Sequence, residues 1–202
     1  TINSLFSHQV SVIMGDYLYS RAVIELVRLD DLEPLRVLAR VTNEMTVGEM
    51  RQLLAHDPLG FTEEEYDLLI QAKTASLLSG TCEVGALLAA PAERGALRRF
   101  GAALGMAFQI VADLLDYVGD PIETGKPTGS DLREHKVTLP LIAALPRMGE
   151  AGRREVGQLM LAEEPTDGQI ARVVALVEDA GGLAYARERA QGFAQRAEAE
   201  LD

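Results

Sequence analysis

The chain contains no tryptophan, one cysteine and three histidines in 202 residues. A lone Cys82 excludes a disulfide within the chain and fits a reducing compartment, so the cytoplasm is the expected location. His8, His56 and His135 stand at no metal-ligand spacing, which excludes a Cys/His zinc site. Aromatics are only 5% of the residues, and leucine and alanine dominate the apolar share, a balance that favours helix over sheet. Neither a G-x-x-x-x-G-K-[ST] loop nor a G-x-S-x-G elbow is present. Basic residues are also scarce: 19 Lys and Arg face 31 Asp and Glu, for a net charge of −12. That charge excludes a nonspecific nucleic-acid binder, which needs a basic face, and reads instead as a solubilising surface. No uninterrupted apolar run reaches the roughly 18 residues of a bilayer span, so no transmembrane segment is expected. The nearest run, residues 77–90, is broken by Ser79, Gly80, Thr81 and Glu83. The first residues have no basic stretch and no signal-peptide core. Patterned sequence begins at once, so the chain is expected to be part of a longer protein.

What is present is helical periodicity. Val10, Ile13, Met14, Tyr17, Leu18, Ala22 and Leu26 recur at three-and-four spacing, which predicts a helix over 4–29. Asp31 is placed to cap a second helix over 32–56. Thr62 followed three residues later by Glu65 is a capping-box signature, opening a helix to about 89. Pro91 opens the next, to about 117, and a loop follows over 119–138. Further helices are expected over 139–145, 152–162, 166–179 and 184–201, in one all-α domain covering residues 1–202.

The chemistry concentrates in residues 108–140. Asp113 and Asp116 lie one helical turn apart and face the same way. Such a pair is either two solvated carboxylates or a site for a hard cation such as Mg²⁺, which also binds phosphate oxygens. The flanking Phe108, Ile110, Val111, Leu114 and Leu115 are apolar nearly all round, so the helix is expected to be buried on several sides. Buried carboxylates need a partner, which favours the cation. Lys126, Asp131 and Lys136 follow in a loop punctuated by Gly119, Gly125, Pro127 and Gly129. Loops of that length are functional or disordered, and Asp131 can pair with either lysine. Lys73, mid-helix beside Thr74, is balanced between a snorkelling lysine and a phosphate contact. Gln109 stands one turn before Asp113, where its carbonyl can face positive charge. Glu49 and Gln52 share a helix face and read more readily as surface polarity, and Cys82 reads as a packing residue.

Taken together, these residues resemble the trans-isoprenyl diphosphate synthases, the polyprenyl synthetases. Five ordered blocks carry the resemblance along essentially the whole chain: GDYLYSRA at 15–22, GEMRQL at 48–53, KTASL at 73–77, Gly85-Ala86, and FQIVADLLDYVGD at 108–120 followed by GKPTGSDLREHKVTLPLI at 125–142. The resemblance implies the all-α terpenoid-synthase bundle around a central cavity, as a homodimer. It implies Mg²⁺-dependent condensation of isopentenyl diphosphate with an allylic prenyl diphosphate. By analogy Asp113 and Asp116 hold metal, and Lys73, Lys126 and Lys136 contact the allylic diphosphate. Thr74 and Gln109 line the carbocation, and Phe108 lies near the isopentenyl group.

Two features differ from the family pattern. The second aspartate motif, Asp-Asp-x-x-Asp in the family, reads Ala112-Asp113-Leu114-Leu115-Asp116 here. The family's first aspartate motif belongs upstream of Thr1, so the chain is expected to be the C-terminal part of a longer synthetase, unable to catalyse alone. Ala112 supports a second reading, a catalytically impaired partner or regulatory subunit of a heteromeric synthase. A terpene cyclase of the same fold and a plain helical interaction bundle are weaker alternatives, because the lysine loop and the Lys73-Thr74 block suit chain elongation.

Overall fold

A computed structural model describes residues 5–54, 58–119 and 128–202. Among these residues there is no strand. The helices are α1 (His8–Val27), α2 (Leu32–Leu54), α3 (Glu63–Ile70), α4 (Ser76–Ala89), α5 (Arg94–Val118), α6 (Ser130–Arg133), α7 (Leu139–Ala144), α8 (Glu150–Leu161), α9 (Asp167–Asp179) and α10 (Gly182–Glu198). The expected end of the second helix at residue 56 lies outside the described residues, as does Lys126. The expected loop over 119–138 contains the short α6 in its described part.

Local chemistry sets several helix starts. Thr62 Oγ1 accepts the Glu65 amide at 3.2 Å while the Glu65 carboxylate accepts the Thr62 amide at 2.8 Å, the reciprocal cap expected for α3. Thr166 and Gln169 repeat the arrangement at α9. Asp31 Oδ1 accepts the Glu33 amide at 2.9 Å at the start of α2. Each cap satisfies amides that a helix leaves open and stabilises it by about 1 kcal/mol.

Helix α5 is the axis of the bundle, packed between α4 and α10. Ile110, Leu114 and Tyr117 recur at four- and three-residue spacing and are 0%, 7% and 2% exposed. They join a core that takes in Tyr66 and Ile70 of α3, Leu139 and Leu141 of α7, and Val173 and Val177 of α9. Full burial of such a side chain contributes roughly 1.5–3 kcal/mol. The sequence expectation that α5 is buried on several sides holds where it meets α4, α10 and the core but not all round. A second apolar stripe, Phe108, Val111, Leu115 and Val118, stays exposed. Helix α1 departs further: its three-and-four apolar spacing is present, yet none of its residues is buried. Counting uninterrupted apolar runs also missed one feature. Residues Pro91–Val118 form a helix long and apolar enough by composition to cross a membrane, because its charges are sparse rather than absent. Here that helix is packed among its neighbours.

One ion cluster ties α2, α4 and the start of α5 together. Glu83, 2% exposed, accepts from Arg94 at 2.8 and 2.9 Å on one oxygen and from Arg40 on the other. Arg94 also reaches Glu33 at 3.4 Å. Burial pushes the Glu83 carboxyl up, but the hydrogen bonds from Arg94 and Arg40 outweigh it and hold the group below the ordinary glutamate value of 4.5. A carboxyl lowered in the folded state stabilises the fold above its unfolded value, and that contribution is lost as pH falls through the folded value. Glu83→Gln is therefore expected to lose about 1 kcal/mol at pH 7, a modest figure because both arginines are part-exposed. It is also expected to show a smaller drop in urea midpoint between pH 7 and pH 3 than the parent.

Candidate active site

Lys73 and Thr74 do not sit on a regular helix. The expected unbroken helix over 62–89 is interrupted at Gln71–Ala75 by a π-helical turn. There the Ser76 amide bonds back to the Gln71 carbonyl, and Ser76 Oγ donates to the Ala72 carbonyl at 2.6 Å. Such wide turns recur at functional sites. Two helices close on this one through glycines. A Cβ on Gly105 of α5 would lie 2.5 Å from Ala75 Cα, and one on Gly48 of α2 would lie 2.9 Å from Ala72 Cβ. Backbones touch where side chains would have held them apart.

The turn faces α5 and meets it through a continuous polar chain. Thr74 Oγ1 donates to Gln109 Oε1 at 2.7 Å, and Gln109 Nε2 donates to Asp113 Oδ1 at 2.8 Å. Tyr66 Oη donates to Asp113 Oδ2 at 2.6 Å. Three of the residues named from sequence, Thr74, Gln109 and Asp113, thus meet directly. Tyr66, 2% exposed, was not anticipated. Its only sequence signal is a hydroxyl in an otherwise apolar helix face, one turn from Ile70. Burial pushes the Asp113 carboxyl up to about 6. Hydrogen bonds from Tyr66 and Gln109 oppose the shift, while the negative charges of Asp131 and Asp116 add to it. Burial and the facing Asp113 push the Tyr66 phenol far up, so it remains a donor throughout the working range.

Lys73 and Lys136 are held by carboxylates. Lys73 Nζ lies 2.8 Å from Glu49 and donates to Gln52 Oε1 at 3.3 Å. Glu49 and Gln52, read as surface polarity, therefore belong to this site. Lys136 lies 2.5 Å from Glu134 and 3.4 Å from Asp131, the pairing expected for Asp131. Burial pushes the Lys136 ammonium down, but these two carboxylates outweigh it and keep it charged. Asp116 joins helix to loop. Its two carboxylate oxygens accept the amides of Ser130 and Asp131 at 3.1 and 3.0 Å, and its backbone carbonyl accepts the Gly129 amide at 2.7 Å.

Asp113 and its neighbour Ala112 differ in aspect. Asp113 is 6% exposed and turned toward Tyr66, whereas Ala112 is exposed on the same side of α5 as Phe108, itself 60% exposed. Among the described residues no three acidic, histidine or cysteine side chains converge. The donor chemistry nevertheless fits a divalent cation with a phosphate ligand: hard carboxylate oxygens stand near lysines, and each carboxylate keeps lone pairs after its hydrogen bonds.

The chain matches the polyprenyl synthetase family over residues 1–177. It belongs to that family. Among curated relatives, the all-trans-nonaprenyl-diphosphate synthase (geranyl-diphosphate specific) of Rhodobacter capsulatus is 38% identical over 198 residues, 98% of this chain and 60% of that protein. The octaprenyl diphosphate synthase of Escherichia coli K12 is 35% identical, over 100% of this chain and 62% of that protein. Among solved structures, the polyprenyl synthase of Caulobacter crescentus CB15, complexed with calcium and isoprenyl diphosphate, superposes with a TM-score of 0.92 at 35% identity, covering 98% of this chain and 61% of that one. This polyprenyl synthetase chain thus spans about three fifths of the length of the curated relatives it matches. The all-α fold expected from its sequence is the one these neighbours share.

The glycine contact gives a direct test of how the synthetase site is built. Gly105→Ala forces α5 off the π turn, and is expected to cost about 1–3 kcal/mol in denaturant unfolding, against the small gain that alanine brings to an open helix position.

Proposed function

We propose that the protein carrying this chain is a prenyltransferase that condenses isopentenyl diphosphate with an allylic prenyl diphosphate. The observation that supports it most is the meeting of Thr74, in a wide helical turn, with Gln109 and through it Asp113 on the facing helix. Relatives named for nonaprenyl, octaprenyl and geranylgeranyl products supply the reaction class. In this reading Lys73 and Lys136 exchange their carboxylate partners for the allylic diphosphate, which Lys126, outside the described residues, also contacts. Asp113 and Asp116 would hold Mg²⁺. Bound there, Mg²⁺ would neutralise diphosphate charge and ease its departure. The carbon–oxygen bond to diphosphate breaks, and the isopentenyl double bond attacks the allylic carbon. A proton then leaves to the released diphosphate. Thr74 Oγ and Gln109 Oε1 present acceptor dipoles to the transient cation. Phe108, in an exposed apolar stripe with Val111 and Leu115, is read as lying near the isopentenyl group.

The chain is read as one helical domain, the C-terminal part of a cytoplasmic synthetase that works as a homodimer. The partner-subunit reading rests on Ala112 alone. The lysines and the Thr74–Gln109 contact that a silent subunit has no use for are in place.

The test is turnover by the full-length protein with isopentenyl diphosphate and geranyl, farnesyl or geranylgeranyl diphosphate. Elongated product is expected with Mg²⁺ and none with EDTA. Lys73→Ala is expected to lower kcat/KM by about 100-fold or more. Absence of product from every primer, in both the parent and Ala112→Asp, would sink the reading. Product from Ala112→Asp alone would mark the parent as the impaired homologue.

A further inference from the structure

The hydrogen bonds around Asp113 all run one way. An ionised carboxylate only accepts, so Gln109 has to present its NH₂ to Asp113 Oδ1, 2.8 Å away. That fixes the side-chain amide in one of its two flips and aims Oε1 toward Thr74. An amide oxygen also only accepts, so the Thr74 hydroxyl has to spend its proton there, at 2.7 Å. What Thr74 then shows to its other neighbours is lone pairs. The orientation of three groups on two helices follows from one acceptor. That acceptor is held in turn by the Tyr66 hydroxyl, 2.6 Å from Oδ2. Tyr66 is 2% exposed and locked among core side chains, and it lies in α3, one element away from the residues it controls. Without it the Asp113 carboxylate still accepts from Gln109 but is free to turn about its terminal bond, so the position in which it holds the Gln109 amide is no longer fixed.

We propose that Tyr66 is a positioning residue for the polyprenyl synthetase reaction: it clamps Asp113, and through Asp113 and Gln109 sets the polarity that Thr74 and Gln109 present to the substrate. The catalytic half of this statement rests on the prenyltransferase reading above; the hydrogen-bond half does not. Tyr66 acts through Asp113, Gln109 and Thr74, so its loss is expected to fall on the chemical step rather than on capture of isopentenyl diphosphate.

The experiment uses Tyr66→Phe, which keeps the ring in the core, in the full-length protein. Cooperative thermal unfolding establishes that the variant folds. The first readout is the side-chain amide ¹⁵N–¹H signal of Gln109, assigned by its disappearance in Gln109→Glu. It is expected to shift and broaden in Tyr66→Phe, without any substrate present. The second is a kinetic cycle. Tyr66→Phe is expected to lower kcat about tenfold, the rate equivalent of one hydrogen bond to a charged group. KM for isopentenyl diphosphate should stay within about twofold. Combined with Thr74→Val, it is expected to cost no more than the worse of the two single variants, since both break one chain. A Gln109 signal that does not move, or two losses that multiply, would overturn the proposal. If the parent turns over no substrate, the prenyltransferase reading fails, and the amide signal alone then decides whether Tyr66 governs Gln109.

Discussion

A carboxylate withdrawn from water must be surrounded by donors, and this requirement at Asp113 organises the centre of the bundle. Its partners come from three directions: a phenol on α3, an amide one turn earlier on α5 and, through that amide, a hydroxyl in the π turn. Leaving any of these bonds unmade inside the core would cost on the order of 1–3 kcal/mol. The helices therefore have to approach in a single register. Packing of Ile110 and Leu114 against α3 and α7 brings the same surfaces together, so polar and apolar demands agree.

Close approach is the second condition. The hydrogen bonds that cross to α5, 2.6 Å from Tyr66 and 2.7 Å from Thr74, require the helices to lie close together. Gly48 and Gly105 grant that nearness on opposite sides of the π turn. The turn widens the helix where its neighbours have been thinned. Lys73 at its edge is paired with Glu49, and Lys136 in the loop after α5 with Asp131 and Glu134, so cations stand at the site before any anionic ligand arrives.

Much of this was legible in the sequence, and the rest was hidden for identifiable reasons. Helix starts at Thr62 and Asp31 were readable because a cap is a local contract among three or four residues. The kinship of Thr74, Gln109, Asp113 and the lysines was readable because their blocks stand in order. Tyr66 was not, because its partner lies 47 residues away and a tyrosine in an apolar helix looks like packing. Glu49 and Gln52 were misjudged for the same reason: a polar face seems solvated until the helix opposite supplies Lys73. The exposure of Phe108, Val111 and Leu115 was misjudged because hydrophobicity reports what a side chain prefers, not what stands beside it in this part of the protein.

The π turn has a consequence for how the long rod over residues 63–89 is to be counted. It amounts to an α-helix carrying one surplus residue, and one residue is about 100° of rotation. The two halves thus keep separate phases. Tyr66 and Ile70 address the core around α5, while Glu83 addresses Arg40 and Arg94 in a different frame. No single helical wheel drawn through the whole rod sets both faces correctly. Deleting one residue of 71–75 would remove the surplus and return the rod to a regular ladder, at the loss of the wide turn that carries Lys73 and Thr74. The irregularity lets one rod serve two interfaces on different residue counts.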